Sequence, residues 1–385
     1  MPDERELVLL DERVDESVMV AAVDGLGSWP TLALDTEADS FHRYFEKVCL
    51  IQISTPHADV IFDPLAHGLP EPLRRVLEAA SRTIVLHGAD YDVLSLKRSF
   101  QLGLGKVFDT MIAARFLGIE AVGLKALLER ELGVHISKGE QRSDWGRRPL
   151  SDAQIGYARQ DTAHLLELAE RLRAQLEERG RLSWVEEECE LLRRRSPVEK
   201  PFDPAGWLKI SGAKQLPELG QRALRAGYLW REEVAQKKDR PPFKILGNDV
   251  LLAIARDVAD RGAEGLAGLA QRRGIPRGLD VRGLAGAIRA AIADRTVPLE
   301  RPAVQKSAPP GEAARAQTAK LRAAREGWVK ALGIDAGVLF PQSLIDLVAR
   351  EMPSTFDALA ALPGMTRWRV EAFGQAILDL RKGTV

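Results

Sequence analysis

The sequence predicts an α/β domain, built on a mixed sheet with flanking helices, followed by two all-α domains. Short β-rich runs in the first half of the chain lead into alternating strands and helices, which is typical of an α/β sheet domain. After a proline-containing break at residues 193–204, apolar residues recur at helical spacing. The two helical stretches also look related, because LLAIARD at 251–257 returns as IDLVARE at 345–351.

Length and composition are consistent with a multidomain globular protein. A chain of 385 residues is too long for one ordinary core. Its 45% hydrophobic and 29% charged residues are typical of soluble proteins, and no apolar run reaches membrane-spanning length. The acidic start, MPDERELVLLDERVDE, lacks the pattern of a signal peptide. Cys49 and Cys189 have no metal-ligand spacing, so we expect a reducing cytoplasm.

The α/β domain is predicted to span residues 1–195 and to contain short strands and longer helices. Five strands are predicted, at 7–10, 31–37, 48–54, 60–63 and 82–87, and the second to fourth of these could pair as a meander. Helices are predicted at 14–26, 70–80, 90–100, 108–117, 124–132 and 149–180. Ser151 and Gln154 form a capping box at the start of the last helix, and Gly180 closes it.

The two helical domains are predicted at residues 202–295 and 316–385. The part of the chain that contains them is basic, whereas the part before them is acidic. The net charge is zero, yet residues 1–200 contain 35 acidic and 26 basic residues. The remainder contains 20 acidic and 29 basic residues. This asymmetry suggests metal-dependent chemistry in the first half and polyanion binding in the second. A drift of surface charge without any function is the alternative.

Two carboxylates lie at the end of the strand predicted at 31–37. Leu32 and Leu34 alternate with small residues, as on a buried strand, and Asp35 and Glu37 come next, one residue apart. On an extended chain their side chains point to the same face. Such a pair on a core strand is repulsive and poorly hydrated unless a cation neutralises it, and hard divalent ions prefer oxygen ligands. A solvated strand end is the alternative, because D-x-E is common by chance.

Further acidic residues could join this pair in one metal-binding pocket. Asp92 lies at a junction of strand and helix, five residues after His87. Tyr157 and Asp161 are four residues apart in a predicted helix and therefore share a face.

Three neighbouring residues have simpler explanations. We expect Asp90 to cap the helix that follows it, and Asp109 to cap or pair rather than to bind metal. His87 is expected to pack at a strand end, because no second histidine has ligand spacing.

The ordered set of motifs resembles the tyrosine-containing branch of the DEDD superfamily of 3′→5′ exonucleases. The D-x-E, the aspartate five residues after a histidine and the Y-x-x-x-D each match one of its motifs. The segment KGEQRSDW with the later RPL, at 138–150, is similar to ribonuclease D sequences before the third motif. The helical stretches resemble the helicase-and-RNase-D C-terminal (HRDC) module, and the first has its typical W-R-E at 230–232.

The resemblance implies a ribonuclease H-like exonuclease domain, two HRDC-type domains and hydrolysis assisted by two metal ions. Asp35, Glu37, Asp92 and Asp161 would hold two divalent ions, Mg²⁺ or Mn²⁺, with Asp35 bridging them. Asp92 would act mainly on the second ion. Tyr157 would orient the attacking water, because its ordinary pKa near ~10 makes it a poor base on its own.

Four residues are weaker candidates for substrate binding. Lys138, Arg142 and Trp145 could hold phosphates and stack a base, or they could tie down a loop beside the active site. Gln52 could line the nucleotide pocket or simply pack the sheet.

The expected substrate is RNA with a free, unpaired 3′ end, shortened by one 5′-mononucleotide at a time. The resemblance suggests precursors of transfer RNA and other small structured RNAs. We expect a monomer, because nothing in the sequence demands a dimer, and no membrane contact. A 3′→5′ DNA exonuclease remains an alternative, because the pocket chemistry does not depend on the sugar. A non-catalytic RNA-binding scaffold is the second alternative.

Overall fold

The first half of the chain forms a mixed β-sheet. The computed structural model describes residues 5–137, 139–198, 201–294, 296–299 and 311–382. The described part of this sheet has six strands, in the order β1-β4-β3-β2-β5-β6. The strands are β1 (Glu6–Leu10), β2 (Thr31–Ala38), β3 (Val48–Ser54), β4 (Ala58–Phe62), β5 (Thr83–Leu86) and β6 (Lys106–Asp109). β2, β3 and β4 form the predicted antiparallel meander, and the other pairings are parallel.

Nine helices surround the sheet in the described residues up to 198. They are α1 (Glu16–Gly27), α2 (Pro64–His67), α3 (Glu71–Glu78), α4 (Asp90–Phe100), α5 (Thr110–Phe116), α6 (Leu124–Leu132), α7 (Asp152–Ala163), α8 (Leu165–Glu178) and α9 (Leu182–Arg194). The central strand β3 is buried along its whole length, because helices cover it. α7 lies over β2, β3 and β4, and α8 packs on β2 and β5.

The structure corrects three details of the predicted elements. The helix expected at 149–180 is two helices, α7 and α8, separated at His164, although the predicted capping box at Ser151 is present. No glycine or proline lies at the break. The two helices pack on different strands, α7 on β2, β3 and β4 and α8 on β2 and β5. Residues 106–109 form a strand rather than the start of a helix. Asp90 does not cap α4, because Ala89 holds that position and Asp90 pairs with Arg195.

The second half of the described chain is helical. Residues 201–294 contain α10 (Glu218–Lys237), α11 (Pro242–Ile245), α12 (Asn248–Arg261) and α13 (Val281–Ala293). Residues 311–382 contain α14 (Glu312–Leu332), α15 (Ala336–Leu339), α16 (Gln342–Glu351), α17 (Phe356–Ala360) and α18 (Arg367–Lys382). Among the described helices, none is both long and apolar enough to cross a membrane.

The chain forms two compact units. The first contains residues 5–38, 48–197 and 311–382, and the second contains residues 39–47 and the described part of 198–306. Within the first unit the C-terminal helices pack on α5 and α9. There Trp368 stacks on Trp184, with ring centroids 4.6 Å apart, and the Arg369 guanidinium lies 2.6 Å from a Glu188 carboxylate oxygen. The division into three domains with the boundaries given above stays a prediction.

Candidate active site

The exposed end of β2 forms the floor of a cleft of about 620 Å³ in the first unit. Asp35 and Glu37 both line it, as their spacing predicts. The pairing of β2 with β5 stops at Ala33, whereas its pairing with β3 continues to Ala38. One edge of β2 is therefore free of a strand partner where the two acids lie.

The turn between β5 and α4 brings Asp92 to the same cleft. Gly88 makes this turn with φ at 69°, a left-handed conformation that favours glycine. A Cβ at Gly88 would also lie 2.9 Å from Cε of Met111. Asp92 lies in the first turn of α4, where the helix dipole favours a negative charge.

Asp92 is held by β2. The backbone N–H and the hydroxyl of Thr36 both donate to Oδ1 of Asp92, at 3.1 and 2.6 Å. Asp92 is only 5% exposed, so these donors replace part of the hydration that its carboxylate has lost.

α7 supplies the remaining two groups. Ala158 and Thr162 face the sheet, and Oγ1 of Thr162 lies 2.7 Å from Oγ of Ser54. Tyr157 and Asp161, one residue earlier in each case, both line the cleft. The structure thus brings together all five residues predicted for catalysis.

Three of the four acids are close enough to share a cation. One carboxylate oxygen from each of Asp35, Glu37 and Asp161 lies within 4.8 Å of the others, and Asp92 borders the same cleft. All four offer only oxygen atoms, which are the ligands that Mg²⁺ and Mn²⁺ prefer. The donor set therefore fits hard divalent cations.

The electrostatics of the cluster also fit a cation. Burial raises the pKa of Asp35 well above its ordinary value, and repulsion from the other three acids adds to the shift. Burial likewise raises the pKa of Glu37 to about 9 and that of Asp161 to about 7. The pKa of Asp92 rises to about 6 through burial, against the hydrogen bonds from Thr36. Asp35 and Glu37 above all resist ionisation, so nearby positive charge is needed for the whole cluster to be ionised at neutral pH.

Tyr157 is a hydrogen-bond donor rather than a base in this setting. Burial and the nearby charges of Asp161, Glu37 and Asp35 raise the pKa of its hydroxyl. The phenol therefore stays protonated at neutral pH, as expected from the sequence.

One wall of the cleft comes from residues that the sequence analysis missed. Gly123, Leu124 and Lys125, at the start of α6, line the cleft, together with Ser137 and Gln141 from the segment that follows. A lysine in the first turn of a helix is disfavoured by the helix dipole, so the position of Lys125 could have been noticed as a candidate phosphate contact.

The four predicted substrate contacts have different outcomes. Trp145 and Gln52 are each 1% exposed and do not belong to the cleft lining, so direct contact with a nucleotide does not fit this structure for either. Trp145 instead packs beside Tyr157, with ring centroids 6.0 Å apart, as the loop-anchoring alternative requires. Arg142 is exposed next to Gln141 and stays a prediction. Lys138 lies outside the described residues.

Asp109 has a structural role, whereas His87 packs at the end of a strand and also lines the cleft. Asp109 caps α5 by accepting from the backbone N–H groups of Met111 and Ile112, so the capping prediction is confirmed. His87 follows the end of β5, and its Nδ1 atom lies 2.9 Å from the hydroxyl of Thr110 at the start of α5.

Comparison with known proteins agrees with this geometry. A family model described as a 3′-5′ exonuclease matches residues 14–177, and the HRDC domain model matches residues 221–264 and 315–380. The ribonuclease D of Granulibacter bethesdensis is 32% identical over 371 residues, covering 92% of this chain and 88% of the relative. The ribonuclease D of Acidiphilium cryptum is 32% identical, with coverage of 95% and 92%.

The chain belongs to the ribonuclease D family. It is a 3′→5′ exoribonuclease, a phosphodiester hydrolase, with an exonuclease domain followed by HRDC domains. Solved structures share the fold of this ribonuclease D family member. Escherichia coli RNase D aligns with a TM-score of 0.64 at 23% identity, over 98% of this chain and 99% of that one. The catalytic core of RRP6 from Trypanosoma brucei gives a TM-score of 0.65 at 25% identity, over 76% and 81%.

Proposed function

We propose that the enzyme shortens RNA from an unpaired 3′ end by hydrolysis assisted by two divalent cations, releasing 5′-mononucleotides. The observation that carries this proposal is the convergence of Asp35, Glu37, Asp92 and Asp161 on one cleft. When bound there, two cations would activate water and stabilise the leaving 3′ oxygen of an in-line displacement. Mg²⁺ and Mn²⁺ both suit the all-oxygen donor set.

The side chains of the cleft have separate tasks in this proposal. Asp35, Glu37 and Asp161 hold positive charge at the cleft floor, because their oxygens are within 4.8 Å of one another. Tyr157 donates a hydrogen bond on the Asp161 side and orients the attacking water. Lys125 contacts a phosphate of the bound strand from the α6 wall.

We also propose that the substrates are transfer RNA precursors and other small structured RNAs, processed by a monomer in the cytoplasm. Escherichia coli RNase D, which has the same fold, is described as involved in structured RNA processing. Because the acids lie on the floor of a cleft, a duplex end would have to open before its last phosphodiester reached them.

The test is the digestion of a transfer RNA precursor with a 3′ extension by the full-length protein, resolved to single nucleotides. We expect a ladder of products that shorten from the 3′ end, stop near the folded body of the RNA and disappear when a chelator removes Mg²⁺. An RNA with a blocked 3′ hydroxyl is the control and should resist. Cleavage that persists in chelator would contradict the metal proposal, and internal cleavage would contradict the 3′ polarity.

A matched DNA strand, digested beside the RNA, tests the sugar preference. We expect faster removal of ribonucleotides. Equal or faster digestion of DNA would favour the DNA exonuclease alternative, and binding of RNA without any digestion would favour a scaffold.

A further inference from the structure

Thr36 lies between the two acids of β2 and, like them, borders the cleft, although alternation along the strand directs its side chain to the other face. It is 7% exposed, so its hydroxyl has little access to solvent. On that face it meets α4, where its hydroxyl and its backbone N–H both donate to one oxygen of Asp92, at 2.6 and 3.1 Å. A single residue of β2 thus connects the strand that carries Asp35 and Glu37 to the helix that carries Asp92.

The edge of β2 that faces β5 is unpaired at Thr36, and Asp92 binds there. The ladder between β2 and β5 ends at Ala33 and Val85, and β5 itself ends at Leu86. Beyond Ala33 the β5-facing edge of β2 has no strand partner, so the N–H of Thr36 is available to a side chain. Oδ1 of Asp92 accepts from that N–H group in place of a strand partner.

The two hydrogen bonds leave Asp92 with one oxygen that Thr36 does not engage. Oδ1 receives both donors from Thr36, while Oδ2 remains for another partner. Asp35, Glu37 and Asp161 have their oxygens gathered in one group, and Asp92 is not a member of that group. The two bonds from Thr36 therefore fix the orientation of the Asp92 carboxylate.

We propose that Thr36 is a positioning residue that fixes Asp92 as a one-oxygen ligand for a divalent cation. The inference rests on the proposed two-cation function and adds a residue to it. Mg²⁺ requires near-ideal octahedral geometry with single oxygens, whereas Ca²⁺ accepts carboxylates through both oxygens. A carboxylate whose second oxygen is already engaged suits Mg²⁺ and disfavours Ca²⁺.

Removal of the hydroxyl should change the metal preference. In Thr36→Val the side chain keeps its size, and only the N–H bond at 3.1 Å still holds Asp92. Residues that orient metal ligands typically contribute about 10- to 100-fold in affinity or activity. We expect Mg²⁺ binding to weaken by about that factor and Ca²⁺ binding to change less, because Ca²⁺ tolerates a rotated carboxylate.

The experiment is a calorimetric titration of the full-length protein with Mg²⁺ and with Ca²⁺, in the absence of RNA. Thr36→Ser restores the hydroxyl and should bind Mg²⁺ as the wild type does. Thr83→Val is the matched control, because Thr83 lies in the neighbouring strand β5 and does not line the cleft. Thermal unfolding of each metal-free variant checks the fold, and Thr36→Ala replaces Thr36→Val if the latter does not fold.

The outcomes separate this inference from the function on which it rests. Weaker Mg²⁺ binding in Thr36→Val, with recovery in Thr36→Ser, supports the positioning role. Equal Mg²⁺ affinity in Thr36→Val and the wild type overturns it and leaves the two-cation proposal intact. A wild-type protein that takes up no Mg²⁺ without RNA would overturn the metal site itself. An equal loss for both cations would contradict the one-oxygen geometry.

Discussion

Asp109 and Asp35 are both acids near the ends of strands in one sheet, yet their surroundings are opposite. Asp109 is 1% exposed and accepts hydrogen bonds from four backbone N–H groups, those of Gly88, Ala89, Met111 and Ile112, at 2.7 to 3.1 Å. Asp35 is surrounded by three further acids, and burial with their repulsion raises its pKa. The carboxylate of Asp109 is satisfied by hydrogen bonds from the backbone, whereas the carboxylate of Asp35 faces other acids.

Other acids of the same sheet follow the first pattern. Asp59 accepts from the hydroxyl of Ser54 and from Nε of Arg159, both at 2.6 Å. Asp63 caps α2 and pairs with Arg148. Burial alone therefore does not distinguish the active site in this domain. The site is the place where buried acids face one another without enough donors, and that deficit is what a pair of cations would satisfy.

The largest expected effect comes from Asp35→Asn. Removal of one anion from the cluster should lower the rate of RNA cleavage by on the order of 10³-fold, because several kcal/mol of transition-state stabilisation depend on bound cations. Single-turnover kinetics at saturating Mg²⁺ measure the rate. The metal-free variant should be at least as stable as the wild type, since asparagine avoids the cost of burying an acid beside three others. A marked loss of stability would mean that Asp35 is a paired structural acid like Asp109.

The opposite result is expected for Asp109→Ala. This change leaves four backbone N–H groups without their acceptor, and an unsatisfied buried donor costs roughly 1–3 kcal/mol. We expect the free energy of unfolding, measured in urea, to fall by about 3 kcal/mol. Asp109→Asn keeps one acceptor oxygen and should lose less. If both variants were as stable as the wild type, the contrast between the two kinds of acid would not hold.

Tyr157→Phe should have an intermediate effect on catalysis. The phenol lines the cleft beside Asp161 but holds no cation, so we expect kcat to fall by about 10- to 100-fold with little change in KM. Steady-state kinetics on a 3′-extended RNA give both parameters. Because the ring packs beside Trp145 and is retained in phenylalanine, thermal stability should be unchanged. A change in KM alone would instead assign Tyr157 to substrate binding.

The smallest effect is expected from Glu188→Gln, where a paired acid joins the C-terminal helices to α9. Glu188 accepts from the indole of Trp368 at 3.0 Å and from Arg369 at 2.6 Å. Glutamine keeps an acceptor but loses the charge opposite a guanidinium that is 3% exposed. A loss of about 1–2 kcal/mol in the free energy of unfolding is expected, with cleavage unaffected. Loss of cleavage at unchanged stability would contradict a structural role.

Local sequence determined part of the site, and long-range contacts determined the rest. The period of a strand places Asp35 and Glu37 on one face, and the period of a helix does the same for Tyr157 and Asp161. Both juxtapositions follow from neighbouring residues and were predicted. The bond from Thr36 to Asp92 joins residues 56 positions apart, and no local pattern indicates it.

The same distinction explains the errors in the predicted fold. The β2–β3–β4 meander has short connections and strong strand patterns, so it was predicted with its order. The break at His164 depends on how α7 and α8 pack on the sheet, which a continuous helical pattern does not reveal. The packing of Trp145 beside Tyr157 is likewise a tertiary contact. Because it buries Trp145, this residue does not fit the alternative in which it stacks on a base.

The most direct test of the account is the unfolding temperature of the full-length protein from pH 5 to pH 9, with Mg²⁺ and with chelator. The pKa of Asp161 is raised to about 7 and that of Glu37 to about 9, above the ordinary value near ~4 in the unfolded chain. The folded state therefore binds more protons within this window, and its stability should fall as the pH rises.

In chelator we predict a steady fall in the unfolding temperature towards pH 9, and Mg²⁺ should remove most of it by replacing the lost protons with positive charge. Asp35→Asn should reduce both the fall and the rescue. Curves that run parallel with and without Mg²⁺ at every pH would contradict the claim that these acids form a divalent cation site.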